Sequence, residues 1–225
     1  MKQPIVSIIL CTYNRKHLVG RAIASVFRQT CADWELVIVD DGSTDGSAKV
    51  LRAMASRDPR ILHLRHANRG LALSRNAGVS ASSGKYITFL DSDDELKPTH
   101  LQKRIRYLES HPYADALHGG LRSLGPRSKQ YVADATRPGR KIHLSKCYVA
   151  GTLFMKRGAY RRLGGFGKVE YGDDYDFMQR LKKRYRLVRV SWPTYLYHLD
   201  SDNRLCDLYE EGGVAAIWKF RGKQG

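Results

Sequence analysis

Over residues 1–97 the chain alternates four short apolar runs with helix-periodic stretches, and that order leaves few folds open. Ile5 to Cys11 is a near-continuous β-branched and apolar run, as expected for a strand buried on both faces. Leu18, Val19, Ala22, Ile23, Val26 and Phe27 then recur at helical spacing. A second buried strand, Glu35-Leu-Val-Ile-Val39, leads into Asp40-Asp41-Gly42-Ser43, where Ser43 or Thr44 is placed to cap a helix reaching about Ser56. Ile61 to Leu64 reads as a third strand, Gly70 to Ser82 as a helix and Lys85 to Leu90 as a fourth strand. The alternation implies an α/β fold, with a mostly parallel, doubly wound central sheet flanked by helices.

In such sheets a ligand sits outside the carboxyl ends of the strands. Three strands here end in polar clusters: Thr12-Tyr13-Asn14, Asp40-Asp41, and Asp91-Ser92-Asp93-Asp94. The last is the sharpest, because carboxylates beside a buried strand are costly unless something offsets their charge. A divalent cation is the natural compensator, and an all-oxygen site suits Mg²⁺ or Mn²⁺ with positions left for phosphate oxygens. Net charge points the same way. The 225 residues hold 39 Lys plus Arg against 22 Asp plus Glu, a formal +17. Such a surface attracts polyanions: nucleic acid, anionic lipid or phosphorylated small molecules.

Beyond Pro98 the pattern loosens. Leu101, Ile105 and Leu108 mark a helix, and Ala114 to Leu121 reads as one strand. Gly125 to Gly139, basic and rich in Pro and Gly, reads as a mobile loop. After Gly164-Gly165-Phe166-Gly167, a helix is expected from about Asp174 to Arg184, with Asp173, Asp174 and Asp176 near its positive end. Leu187 to Val190 is a short strand, and Leu205 to Phe220 holds one or two helices. No internal repeat and no clean linker is visible, so a single domain is expected.

Five segments, in order, resemble glycosyltransferase family 2, the inverting nucleotide-sugar transferases of the A-type fold. They are Val6-Ser-Ile-Ile-Leu-Cys-Thr-Tyr-Asn-Arg15, Trp34-Glu-Leu-Val-Ile-Val-Asp-Asp-Gly-Ser-Thr-Asp-Gly46, Ser74-Arg-Asn-Ala-Gly78, Gly84-Lys-Tyr-Ile-Thr-Phe-Leu-Asp-Ser-Asp-Asp94 and Gly172-Asp-Asp-Tyr-Asp176. The resemblance divides the chain into a nucleotide-binding half (1–97), an acceptor-binding half (98–204) and a C-terminal helical segment (205–225). It assigns the nucleotide to Thr12 and Tyr13, the uracil ring to Asp40, and the base or diphosphate to Arg75. Asp91 falls to the ribose, Asp93 to a Mn²⁺ or Mg²⁺ ion on the diphosphate in the manner of a DxD motif, and Asp94 to orienting a neighbour. Asp174 matches the catalytic base. Asp173 stands where relatives carry Glu, one methylene longer, as an acceptor-binding group. His198 falls where relatives have a histidine that completes the metal shell, and Arg204 is placed to steady phosphate. Turn formation and capping account for Asp41 and Asp45. His63, His66 and His118 have no motif context.

The reaction so implied moves a sugar, most simply from a UDP-sugar, to an acceptor hydroxyl in cell-surface polysaccharide or glycolipid synthesis. The acceptor expected is a glycan or a lipid-linked sugar. A nucleotidyltransferase would begin with a Gly-rich phosphate loop where this chain has Thr12-Tyr13-Asn14. A non-catalytic polyanion-binding protein on a degenerate transferase fold would explain +17 but not the acidic clusters, and no nucleic-acid partner is expected. No apolar run nears the roughly 20 residues of a membrane span. Met1-Lys2-Gln3-Pro4 is a poor leader, and Cys11, Cys31, Cys147 and Cys206 lack metal-ligand spacing. A cytoplasmic address is expected, with peripheral contact at the inner, anionic face of the membrane as a second expectation drawn from charge.

Overall fold

The structure, a computed structural model, describes residues 3–137 and 139–222. The first half runs β1 (Val6–Thr12), α1 (Lys16–Phe27), β2 (Trp34–Asp40), α2 (Ser47–Ala55), β3 (Ile61–Arg65), α3 (Leu71–Ala81) and β4 (Tyr86–Asp91), in the order the sequence leads one to expect. The second half continues β5 (Glu95–Leu96), α4 (His100–Ser110), β6 (Ala116–His118), β7 (Leu121–Leu124), β8 (Tyr131–Ala133), β9 (Lys141–His143), β10 (Phe154–Lys156), α5 (Arg157–Leu163), α6 (Asp173–Arg184), β11 (Leu187–Arg189), β12 (Tyr195–His198) and α7 (Leu205–Phe220).

Seven strands form the central sheet in the order β11-β6-β10-β4-β1-β2-β3. All run parallel except β10, which pairs antiparallel with both β4 and β6. Because β1 is buried on both faces, its side chains feed two cores. Val6, Ile8 and Leu10 pack with α1, α2 and α4 on one side, whereas Ile9 and Cys11 pack with α3, α5 and α6 on the other. Register aligns Thr12 with Asp40, and Cys11 with Asp91, so the polar ends of β1, β2 and β4 share one edge.

Several local expectations are corrected. The second helix opens at Ser47 rather than after Ser43 or Thr44, because Gly46 turns the chain in the left-handed region (φ 86°). Asp45 accepts from the Ser47 N–H (3.0 Å) and the Lys16 N–H (2.9 Å), so one carboxylate serves the first turns of α1 and α2. The single strand expected over Ala114–Leu121 is broken at Gly119–Gly120. A Cβ on Gly120 would lie 1.9 Å from the Trp192 carbonyl oxygen, and both glycines have positive φ. The break hands the chain from the central sheet to a small one of order β5-β12-β7. There the buried Arg104 guanidinium donates to Thr194 Oγ1 (2.7 Å) and to the Gly119 carbonyl (2.9 Å), while desolvation lowers its pKa to about 9. The basic stretch 125–139 is not a bare loop among its described residues. It holds a 3₁₀ turn and β8, which pairs with β9 as an antiparallel hairpin. In α7, Gly212 and Gly213 leave helical geometry, so the segment is two helices joined at a kink.

Close packing of α3 on the sheet depends on Gly78, where a Cβ would lie 2.4 Å from Ile9 Cγ2 and 3.1 Å from Val39 Cγ2. Gly78→Ala should therefore destabilise the chain by about 1–3 kcal/mol through overpacking. Urea unfolding of the variant checks this; equal stability would mean that α3 has room to shift.

Candidate active site

At the carboxyl edge of the sheet lies a cavity of about 300 Å³. Its wall on the β1–β3 side includes Thr12, Tyr13, Asp41, Asn68, Phe220 and Arg221. Its wall on the β8–β9 side includes Val132, Ile142, Cys147, Tyr148, Tyr171 and Cys206. Between them stand Arg75, Asp91, Asp93, Asp173, Asp174 and Arg204, six residues singled out from the sequence, drawn from α3, β4 and its following turn, α6 and the approach to α7.

Arg75 joins these parts. It is 4% exposed, and its Nη1 donates to Asp173 at 2.7 Å while Nη2 donates to Asp91 at 3.1 Å. The next residue, Asn76, accepts from the Phe166 N–H (2.8 Å) and the Tyr160 hydroxyl (2.6 Å), and donates to the Phe166 carbonyl (2.9 Å). Consecutive residues of α3 therefore fix both the start of α6 and the turn that leads into it. The sequence motif contained Asn76 without indicating this role.

Asp174 keeps one carboxylate oxygen on its own helix, accepting from the Tyr175 N–H at 2.8 Å. Burial, then the adjacent Asp173 charge, push its pKa up to about 7, with Arg75 opposing. Asp93 is also held above the ordinary carboxylate range, by burial and by Asp91, while Arg15 and Arg204 oppose the rise. Its carboxylate makes no ion pair among the described residues. Arg15 donates to the carbonyls of Asp202 and Asn203 and so holds the loop ahead of Arg204. Arg204 is 4% exposed; its Nη1 reaches Asp207 (3.3 Å), while Nε and Nη2 are buried without a partner. Buried guanidinium nitrogens without a partner, on a residue that lines the cavity, leave donor capacity unspent beside it.

Asp94 does not enter the cavity. It accepts from the Tyr195 hydroxyl (2.7 Å) and from the His198 N–H (2.8 Å), tying the turn after β4 to β12. Tyr195 in turn fills the space above Gly151, where a Cβ would lie 2.1 Å from its hydroxyl. His198, expected to complete a metal shell, stands outside the cavity lining and is held by contacts of its own. Its Nε2 lies 3.0 Å from Glu95 and its Nδ1 3.6 Å from Asp200, so the ring braces β12 against β5. No cluster of three or more His, Cys, Asp or Glu able to hold a metal occurs among the described residues. The donor set still fits a hard cation: Asp93 supplies an unpaired, partly desolvated carboxylate beside Asp91, and the remaining positions would fall to ligand oxygens.

Asp40, expected to meet the uracil ring, does not line the cavity. Successive side chains at a strand end point to opposite faces, so only one of the Asp40–Asp41 pair can face the cavity. That residue is Asp41, which accepts from the N–H groups of Arg69 and Gly70 (both 2.9 Å) and has His66 Nδ1 at 3.3 Å. Asp40 is fully buried; it accepts from the Ser43 N–H (2.8 Å) and lies 3.3 Å from Arg65. Asn68 was not singled out from the sequence, yet both its amide atoms are buried without partners, as is Thr12 Oγ1. Tyr13 meets Phe220 edge-on at 5.7 Å, so the last turn of α7 covers this side of the cavity.

A central sheet of this topology, with an acidic turn after β4 and a carboxylate pair opening α6, defines an A-type glycosyltransferase fold. The family model for glycosyl transferase family 2 matches residues 7–163, and the chain belongs to that family. It is 29% identical over 208 residues to EpsE of Bacillus subtilis (strain 168), which carries a glycosyltransferase assignment, covering 88% of this chain and 74% of that protein. It is 28% identical over 196 residues to a glycosyltransferase of Haemophilus influenzae, covering 80% of this chain and 61% of that one. Among solved structures, S. aureus TarS 1-349 in complex with UDP-GlcNAc superposes with a TM-score of 0.71 at 18% identity, over 90% of this chain and 60% of that one. Mannosyltransferase PcManGT from Pyrobaculum calidifontis, in complex with GDP-Man and Mn²⁺, gives 0.73 at 19% identity over all of this chain and 66% of that one. The chain thus spans less than two thirds of several of these relatives. No described helix is long and apolar enough to cross a membrane.

Removing the Arg75 guanidinium would strand two carboxylates in a desolvated site. Arg75→Ala should cost about 3–5 kcal/mol, as for a broken buried pair. Asp173→Asn, which leaves Arg75 paired with Asp91, should cost less. Denaturant midpoints of the two variants check the order, and a reversed order would mean that Asp173, not Arg75, is the structural pivot.

Proposed function

We propose that the chain transfers a sugar from a UDP-sugar to an acceptor hydroxyl by one in-line displacement, with inversion at the anomeric carbon. The observation that carries this reading is that Asp93 and Asp174, distant in sequence, open on one cavity beside side chains suited to a nucleotide. Tyr13 offers a ring edge-supported by Phe220, and Thr12 and Asn68 offer unsatisfied polar atoms to a base or ribose. Asp41 presents a carboxylate to an imide N–H, which favours a uracil-type edge. Asp91, steadied by Arg75, takes the ribose, and Arg204 takes diphosphate oxygens. That neighbours of the same fold hold UDP-GlcNAc or GDP-Man with Mn²⁺ supports a nucleotide-sugar donor and a cation.

Asp93 is the residue that would hold Mn²⁺ or Mg²⁺. A cation bound there would offset the charge that builds on the leaving diphosphate. Asp174 accepts the proton of the acceptor hydroxyl as the new bond forms, while Asp173, held by Arg75, adds the neighbouring charge that raises its pKa. The burial that raises the Asp174 pKa also makes it a stronger base near neutral pH.

Asp174→Asn should retain nucleotide binding and lose about 10²–10⁴-fold in transfer rate. Normal transfer by this variant would require a different base. Because Asp174 must be ionised to act and titrates at about 7, kcat/KM should climb as pH rises through that value and then level. A flat profile between pH 5 and 9 would remove Asp174 from the role. Calorimetric titration with UDP, GDP and dTDP tests the donor. UDP is expected to bind at least about tenfold more tightly than GDP, a difference of ~1.4 kcal/mol; equal affinities, or no binding of UDP, overturn that part.

A further inference from the structure

At the mouth of the cavity, on its hairpin side, positive charge collects without a counter-ion: Lys146 lines the cavity, while Lys182 and Arg189 stand outside its lining, against Tyr148 and Ser145. Lys146 and Tyr148 line the cavity, as does Tyr175, which is 40% exposed and follows Asp174 directly. The Tyr148 and Tyr175 rings lie 6.2 Å apart at 46°. Lys182, on α6, brings its Nζ to 3.5 Å from the Tyr148 hydroxyl and 5.7 Å from the ring centre. Arg189, on the edge strand β11, donates to the Ser145 carbonyl at 3.0 Å, next to Lys146. All three cations are exposed, and none makes an ion pair among the described residues.

The contrast with the neighbouring hairpin is informative. There Lys129 is matched by Asp207 (3.4 Å) and Lys141 by Glu210 (2.5 Å), whereas none of the three cations at the mouth has such a partner among the described residues. His118, whose ring lies 5.3 Å from that of Tyr148, has its pKa lowered to about 4 by burial and then by Arg189 and Lys182. It stays neutral and adds hydrogen-bonding capacity without charge.

We propose that this mouth reads an anionic group on the acceptor: Lys146, Lys182 and Arg189 hold a phosphate or carboxylate while the sugar rests against Tyr148 and Tyr175 and presents its hydroxyl to Asp174. Cations form charge-assisted hydrogen bonds to such a group, and the tyrosine faces give apolar contact to a sugar ring. Arg189 and Lys182 are carried by a strand and a helix, which fixes where their backbones stand. The assignment of this group to an acceptor rests on the transferase reading given above.

Titrations with glucose 1-phosphate, glucuronic acid and glucose, followed by calorimetry at low salt without any donor, test the site. One or both anionic sugars should bind at least about tenfold more tightly than glucose. The preference should fade at high salt and vanish in the triple variant Lys146→Gln/Lys182→Gln/Arg189→Gln, with UDP affinity unchanged. The tighter of the two anionic sugars identifies the group read. Equal binding of all three sugars overturns the proposal, and so does a preference that survives the triple substitution, which would move the anion to Arg15 and Arg204. Failure of the transferase reading appears elsewhere, as absent UDP binding or absent donor turnover, neither of which these surface substitutions touch.

Discussion

The two bonds from Arg75 to Asp91 and Asp173 are the interaction on which the site depends. Burying a guanidinium is costly, and one carboxylate seldom repays it in full. Here two carboxylates converge from elements separated by more than eighty residues, so the charge is met only when both halves of the chain are folded together. Burial first, and then the neighbouring carboxylates Asp173 and Asp91, hold Asp174 and Asp93 above the ordinary carboxylate range, while Arg75 opposes the rise at Asp174. The contacts that close the fold thus bring together the groups from which chemistry is expected.

A second brace works from the other side of the acidic turn. Tyr195 donates to Asp94, and the Asp91 N–H donates to Tyr195 at 3.3 Å, so a single phenol spans both ends of Asp91-Ser-Asp-Asp94. That phenol lies under Gly151, a position where any side chain would displace it. His198 and Glu95 extend the brace along β12 and β5. The small second sheet therefore serves to fix the turn that follows β4, leaving Asp93 as its one carboxylate turned to the cavity without a protein partner.

Much of this was legible in the sequence. The strands β1, β2 and β4 announce themselves because each is buried on both faces and so reads as a nearly unbroken apolar run, whereas β3 is a half-exposed edge strand. The turns after β2 and β4 stand out because they are acidic where burial disfavours charge. What escaped depends on direction and distance. Asp40 and Asp41 are adjacent in the sequence, and only the pleat decides which faces the cavity. His198 carries a suggestive position, but its partner Glu95 is a long-range contact invisible in any local window. The β8–β9 hairpin was hidden by its composition, since an exposed two-stranded ribbon needs few apolar residues and tolerates Gly and basic side chains. Asn68 gave no signal at all: it is conspicuous only as a buried amide lacking partners.

The final turn of α7 leaves the molecule with an unusual dependence on its own tail. Phe220 packs edge-on against the half-buried Tyr13, and Arg221, anchored on Glu170 at 2.6 Å, lies over Gly70 at the head of α3. A chain shortened before Phe220 would keep every acidic group and the whole central sheet, yet it would uncover the Tyr13 wall of the cavity.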